Sequence, residues 1–391
     1  MLLLGALAAE AQALILGGTT AIHAAAPPDD PGWANIVSPN GCSGVYLGNR
    51  WVLTAGHVGA GAVTIGGTSY AVQAGSAIRL RTPDDAGVTD LALFRLAADP
   101  GLPEITLVAA SQNIGDPVTM IGRGRTRGAA VRFTADWGAP PQGEAPAYAG
   151  YAWGAAAKNW GTNLLADRTT GGTGYGVCEW LVTTFTAGPG ADADEAQAAL
   201  YDSGGGVFVK TSDGWRLAGI MVAISRFEGQ PDATALFGNA TYAMDLACYR
   251  DQIEAVRSLD TLYEIWSYAK LRTVAEADSD FDGDGFSNIE EYVFGLDPAV
   301  ADAASAAPQI ALASYDDGVA LTATFTQNTL ATDVALVVEV SDDLVTWTSG
   351  DAATQTASTT DLGSNVSRLV VRDRATTATS ARRFLRVRVT R

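Results

Sequence analysis

The stretch Trp51-Val52-Leu53-Thr54-Ala55-Gly56-His57 decides how this chain is read. An apolar run with strand character leads into a small-residue turn, and the turn delivers an imidazole. The chain has two histidines, His23 and His57. Just upstream, Gly44-Val45-Tyr46-Leu47 and Arg50-Trp51-Val52-Leu53 straddle Gly48-Asn49, which predicts a hairpin. Further on, Asp90 opens the apolar run Leu91-Ala92-Leu93-Phe94, and Asp202-Ser203-Gly204-Gly205-Gly206 presents a hydroxyl in a glycine-rich turn. A serine hydroxyl is a weak nucleophile at neutral pH. It needs a base within hydrogen-bond reach and a third group to orient that base. His57 is the candidate base, Asp90 the candidate orienting carboxylate and Ser203 the candidate nucleophile. Each also has a plain structural reading. His57 could simply end a strand, Asp90 could be a helix cap or turn residue with Asp84 and Asp85 as nearby competitors for its role, and Asp-Ser-Gly-Gly is good turn chemistry. Neither Asp84 nor Asp85 is followed by the apolar run.

These three settings, in this order, resemble the chymotrypsin-like (trypsin-family) serine proteases over about residues 15–253. The resemblance implies an all-β fold of two packed six-stranded antiparallel barrels closed by a C-terminal helix. It implies an oxyanion hole made by the backbone N–H groups of Tyr201 and Ser203. The family usually has glycine where this chain has Tyr201. By the family's count the pocket base, six residues before the nucleophile, is Gln197, and the wall lies near Val222, Ala223 and Ile224. A glutamine base and bulky walls imply a shallow pocket with no preference for Arg or Lys. Ile15-Leu16-Gly17-Gly18 is similar to the family's mature N-terminus, which implies an ion pair between the Ile15 α-amine and Asp202. The family's bridge from a cysteine near Cys42 to one just after the histidine cannot form, because Val58 follows His57. A bridge between Cys178 and Cys248 is left open.

Short runs with glycine-rich turns continue through residues 63–65, 70–72, 77–80 and 91–96. A second set covers 118–122, 131–135, 178–186, 207–210 and 216–223. Leu246, Tyr249, Ile253 and Val256 fall at helical spacing within 245–257, and a second helical stretch is expected at 259–274. It leads to Asp280-Phe281-Asp282-Gly283-Asp284-Gly285-Phe286-Ser287-Asn288-Ile289-Glu290-Glu291. Asp280, Asp282, Asp284, Asn288 and Glu291 put side-chain oxygens at loop positions one, three, five, nine and twelve, with Phe286 offering a carbonyl and Gly285 the sharp turn. That is the EF-hand spacing, and a hard cation needs six or more oxygens gathered in this way. The segment resembles the single calcium loops of dockerins and thrombospondin type 3 repeats. The alternative is a solvated acidic linker. A helix is expected over 288–295, an Ala-rich linker over 302–308, and a small β-sandwich from 310 onward with runs at 319–325, 334–340, 367–372 and 384–389.

The chain has 391 residues and a net charge of −18, which argues against nucleic acid or an anionic membrane as partner, because binding phosphates requires clustered Lys and Arg. Met1 to Ala13 reads as a secretion signal ending in the small-x-small pattern Ala11-Gln12-Ala13, although a basic start is missing and a buried N-terminal segment is the alternative. No other stretch is long and apolar enough to span a bilayer. Three cysteines leave at least one thiol unpaired or bridged to another chain. The expected organisation is a signal (1–13), a protease domain (14–257), a helical segment with a structural Ca²⁺ loop (258–300) and a β-sandwich accessory module (301–391). The expected function is a secreted or periplasmic serine endopeptidase acting on protein or peptide substrates, with cell-surface or matrix contact through the last module. The competing readings are a catalytically silent protease fold used for binding or adhesion, and a calcium-dependent structural protein.

Overall fold

The computed structural model describes residues 14–18, 23–173, 176–187, 191–192, 194–380 and 382–390. The expected secretion signal, 1–13, lies outside the described residues. The chain divides into two compact units, 1–73 with 77–258, and 74–76 with 259–391.

In the first unit, the early strands are β1 (Ile15–Leu16), β2 (Ile36–Val37), β3 (Gly44–Gly48), β4 (Trp51–Ala55), β5 (Val63–Ile65), β6 (Thr68–Tyr70), β7 (Ile78–Arg81) and β8 (Val88–Arg95). Both β3 and β4 are buried along their whole length, as their unbroken apolar sequences require. The hairpin between them turns one residue later than its sequence signal. Asn49 (φ 45°) and Arg50 (φ 67°) are the left-handed residues, and Gly48 (φ 107°) sits at a register shift. The order β2-β3-β4-β8-β7 makes a five-stranded sheet, and β5 and β6 pair separately as a hairpin. The expected six-stranded first barrel is therefore a five-stranded sheet with a detached hairpin. Its core is Val37, Tyr46, Val52, Val63, Phe94 and Leu96.

The rest of the unit adds β9 (Pro117–Gly122), β10 (Arg125–Phe133), β11 (Tyr148–Ala156), β12 (Asn159–Thr173), β13 (Gly176–Thr184), β14 (Ala196–Gln197), β15 (Gly206–Thr211), β16 (Gly214–Ile224), β17 (Thr234–Leu236) and β18 (Ala240–Asp245). Here the expected six-stranded barrel is present and closed, in the order β12-β13-β18-β16-β15-β9. Met120, Leu165, Leu181, Val207, Val209 and Met221 fill it, joined by Leu14 and Leu16. The strands β11 and β12 carry no clear alternation in sequence and were not expected. Helix α1 (Arg250–Arg257) closes the unit, burying Ile253 and Val256, after a 3₁₀ turn at Leu246–Cys248. No disulfide joins Cys42, Cys178 and Cys248, so the Cys178–Cys248 bridge is absent.

The second unit opens with α2 (Leu262–Leu271), shorter than the stretch expected. Thr261 and Glu264 form a reciprocal capping box, and Arg272 ends the helix in a left-handed conformation (φ 61°). Then comes α3 (Asn288–Phe294), capped by Ser287 and Glu290 and stopped by Gly295 (φ 75°). Two sheets follow. One is the four-stranded β19 (Gln309–Tyr315), β20 (Gly318–Asn328), β24 (Val366–Thr376) and β23 (Thr354–Gly363); the other is the three-stranded β22 (Thr348–Ser349), β21 (Ala335–Ser341) and β25 (Phe384–Thr390). Ala323, Phe325 and Val371 from the first sheet share one core with Val338, Leu336, Leu385 and Val387 from the second. The helix α3 is tied to β20, because Thr326 Oγ1 donates to the Phe294 carbonyl at 2.7 Å and Asn328 Nδ2 to the Tyr292 carbonyl at 3.1 Å. The helical segment and the sheets thus share one compact unit.

Candidate active site and acidic loop

The register of β4 against β8 assembles the first half of the candidate site. Ala55 pairs with Leu91, so the next residues along, Gly56 and Asp90, face each other, and the Gly56 N–H donates to the Asp90 carbonyl at 3.0 Å. The chain then turns, and His57 comes back over the Asp90 side chain. Its backbone N–H donates to Asp90 Oδ1 at 2.8 Å, and its ring Nδ1 lies 2.8 Å from Oδ2. Paired to a carboxylate, Nδ1 carries the proton and Nε2 is left as the basic nitrogen. The Asp90 side chain is 5% exposed and that of His57 32%, so the carboxylate is shielded while the ring reaches solvent. Arg79 braces the turn, donating to the Gly56 carbonyl (3.1 Å) and the Thr89 carbonyl (2.8 Å).

Ser203 comes from the turn between β14 and β15, and Ser43 ties that turn to β4. The Ser43 N–H donates to the Ser203 carbonyl at 2.9 Å, and Ser43 Oγ donates to the Tyr201 carbonyl at 3.0 Å. Thr54, three residues before His57, donates through Oγ1 to the Ser43 carbonyl at 2.7 Å. The approach is so close that a Cβ on Gly204 (φ 90°) would lie 1.8 Å from the Ser43 oxygen and 2.3 Å from Thr54 Oγ1. Only glycine fits there. Neither Ser43 nor Thr54 was singled out from sequence, since a lone serine or threonine carries no local signal.

The backbone through the turn has both used and unused donors. The N–H groups of Asp202, Gly204 and Gly205 are taken, by the carbonyls of Ala199 (3.1 Å), Met221 (2.8 Å) and Asp202 (2.8 Å). Among the described residues, those of Tyr201 and Ser203 have no hydrogen-bond acceptor. Tyr201 adopts φ 78°, the left-handed conformation that glycine takes most easily.

Asp202 is fully buried. Its Oδ1 accepts from the Gly124 N–H (2.8 Å) and Oδ2 from the Ala199 N–H (2.9 Å). A third donor is the N–H of Leu14. Burial pushes its pKa up to about 7, against the opposing pull of these donors. The residue that reaches Asp202 is therefore Leu14 and not Ile15, which is engaged in the β1–β14 ladder opposite Gln197. That same ladder removes Gln197 from its expected place. Gln197 is fully buried and donates to the Ala240 carbonyl at 3.1 Å, so it does not floor a pocket. A cavity of about 150 Å³ does open beside Ser203, and Val222, Ala223 and Ile224 line it with Ala198, Met221 and Trp153.

In the acidic loop, Gly283 (φ 82°) and Gly285 (φ 101°) let the chain turn back on itself. Asp280 Oδ1 accepts from the Gly283 N–H (2.7 Å) and Oδ2 from the Gly285 N–H (2.8 Å), while the Phe286 N–H donates to Asp284 Oδ1 (2.8 Å). Carboxylate oxygens of Asp280, Asp282 and Asp284 lie within 4.8 Å of one another. Asn288 Nδ2 is committed to the Glu276 carbonyl (2.8 Å) and Ser279 Oγ (2.9 Å), which leaves Oδ1 buried without a partner. Both oxygens of Glu291, which is fully buried, and Oδ2 of Asp282 are likewise without partners. Burial, followed by the negative charges of Asp282, Asp284, Asp302 and Asp280, pushes the Glu291 carboxyl up to about 8. Orphaned buried oxygens of this kind fit a hard cation, whose charge and coordination shell would replace the missing donors. Asp302, absent from the twelve-residue spacing, also belongs to this cluster.

Residues 20–137 match the family model described as Trypsin. The matched stretch is trypsin-like and includes His57 and Asp90 but ends before Ser203. No curated protein matches the chain. Among solved structures it is similar to the HtrA-type protease AlgW with decapeptide (17% identity, TM-score 0.33), covering 55% of this chain and 51% of that one. It is also similar to an Rv3671c protease in an inactive form (14% identity, TM-score 0.34), covering 57% of this chain and 90% of that one. The chain thus spans about half the length of the AlgW protein. No helix among the described residues is long and apolar enough to cross a membrane.

Proposed function

We propose that this chain is an exported serine endopeptidase. The observation that carries the reading is the pair of 2.8 Å contacts from His57 to a buried Asp90, with the Ser203 turn seated against Ser43 and against Thr54 of the strand that leads to His57. In this reading Ser203 attacks the scissile carbonyl and forms the acyl-enzyme. His57 takes its proton and returns it to the leaving amine, and Asp90 stabilises the imidazolium. The unengaged N–H groups of Tyr201 and Ser203 receive the oxyanion, each contributing about 3 kcal/mol in the transition state. The small apolar cavity beside Ser203 favours a short aliphatic side chain, and with no carboxylate at its base it gives Arg or Lys no partner. Cleavage after Ala13 on export would free the Leu14 amine beside Asp202, so that removing the leader would itself supply the counter-charge for the buried carboxylate.

Asp280, Asp282, Asp284, the Phe286 carbonyl, Asn288 and Glu291 would hold a structural Ca²⁺, supported by the orphaned oxygens of Glu291 and Asn288. The two sheets after the loop would form a β-sandwich accessory module for cell-surface or matrix contact. One observation favours the second reading, a silent binding protein: a tyrosine occupies the left-handed position at the mouth of the oxyanion hole. A fluorophosphonate probe separates the two. Adduct on Ser203 that is lost in His57→Ala supports the peptidase. A well-folded protein that takes no adduct supports the binding protein.

A further inference from the structure

We propose that the acidic loop holds two divalent cations, and that Asp302 is a ligand of the second. The inference builds on the calcium-loop reading but needs a residue that reading does not use. Asp302 lies beyond the twelve-residue spacing, yet its carboxylate, with those of Asp284 and Glu291, places oxygens within 4.8 Å of one another. Three atoms that close share a centre no more than about 2.8 Å from each, near the Ca²⁺–oxygen distance of about 2.3–2.6 Å. A separate set with the same property comprises Asp280, Asp282 and Asp284. Asp284 belongs to both, as a bridging carboxylate would.

Three further features point to a ligand. Glu291 is fully buried, reaches into the second set, and has no partner for either oxygen. Asp302 Oδ2 is also buried without a partner. The Asp302 N–H donates to Asp284 Oδ2 at 2.6 Å, which holds Asp302 against the loop even though it comes from the far side of α3. Charge, with all five groups ionised as metal ligands would be, favours two ions over one. The five carboxylates of Asp280, Asp282, Asp284, Glu291 and Asp302 carry a formal −5, and among the described residues no Lys or Arg pairs with any of them. One dication leaves −3 and two leave −1. An all-oxygen set without imidazole or thiolate selects a hard cation, and the flexible, shared geometry suits Ca²⁺ better than Mg²⁺.

The test is Ca²⁺ stoichiometry on the full chain, by native mass spectrometry and by calorimetric titration with CaCl₂. Two ions per chain are expected, falling to one in Asp302→Asn, which keeps the backbone N–H that seats the residue. One ion in the wild type, unchanged in Asp302→Asn, overturns the second site and leaves the loop reading standing. No bound Ca²⁺ overturns both. If Asp302→Asn fails to fold, the wild-type count of one or two still decides the question.

Discussion

The active-site turn and the acidic loop both bury carboxylates, and they treat them in opposite ways. Asp90 receives the His57 amide and ring N–H, one on each oxygen, and Asp202 receives the amides of Gly124 and Ala199 in the same fashion. Glu291 receives nothing, and neither do the buried Oδ2 atoms of Asp282 and Asp302. The first region is complete as a protein structure, with its charges held by donors from distant strands. The second, Asp302 apart, is contiguous in sequence and leaves buried carboxylate oxygens without donors, which is the basis for the proposal that cations complete it. Removing a part should therefore impair chemistry in the first region and stability in the second.

The largest effect is expected from Asp90→Asn. The amide can hold the ring but favours the wrong tautomer, so peptide hydrolysis should fall by about 10⁴-fold while thermal unfolding stays close to wild type. Rates within tenfold of wild type would mean that His57 does not work through Asp90, and the comparison would lose its first half.

Next comes the pH response of Asp202. Its pKa is raised from 3.8 to about 7, so this group favours the folded state most strongly below pH 4. The contribution is lost as pH rises through about 7, and a three-unit shift bounds it at about 4 kcal/mol. A chain still carrying residues before Leu14, where that nitrogen is an amide, should lose stability of the first unit between pH 4 and 8 in urea titrations. A chain beginning at Leu14 should lose much less, because its ammonium compensates the carboxylate. Asp202→Asn should flatten the longer chain's profile. An unchanged slope in that variant would assign the pH response elsewhere.

Chelation should act on the other region alone. At free Ca²⁺ a hundredfold above Kd, binding contributes about 2.7 kcal/mol to the unit that holds it. EDTA should lower the melting transition of the second unit and leave hydrolysis by the folded first unit intact. Loss of hydrolysis with no loss of fold would break the division of roles.

The same contrast governs what could be read from sequence. His57, Asp90 and Ser203 each sit in a local setting that sequence displays directly, and the acidic loop is twelve consecutive residues. What stayed hidden depends on how distant segments meet. Counting back from Ser203 cannot reveal that β14 pairs with β1, which draws Gln197 into a ladder and sets Leu14 rather than Ile15 against Asp202. Ser43 and Thr54 act only because β3 and β4 lie under the Ser203 turn. Asp302 acts only because the chain folds back past α3. The strand β12 is fifteen residues, mostly Asn, Gly, Thr and Leu, without alternation, because it pairs first with β9 and then with β13 around the closed barrel.

The smallest effect is expected from Tyr201→Gly, and it tests whether the first region is as complete as it looks. Holding a non-glycine residue at φ 78° costs about 1 kcal/mol, which glycine would relieve. Glycine would also lose about 0.5–1 kcal/mol through its freer unfolded chain. It would further lose the contact of the Arg125 guanidinium over the Tyr201 ring, 5.2 Å from its centroid. These terms nearly cancel, so stability should move by no more than about 1 kcal/mol in urea unfolding. Hydrolysis should change less than about tenfold, because the tyrosine already adopts the backbone conformation that leaves its N–H and that of Ser203 unengaged. A rise of a hundredfold or more, with faster fluorophosphonate labelling of Ser203, would mean that the native tyrosine holds the oxyanion hole shut. The first region would then also be waiting for something to complete it, and the contrast with the acidic loop would fail.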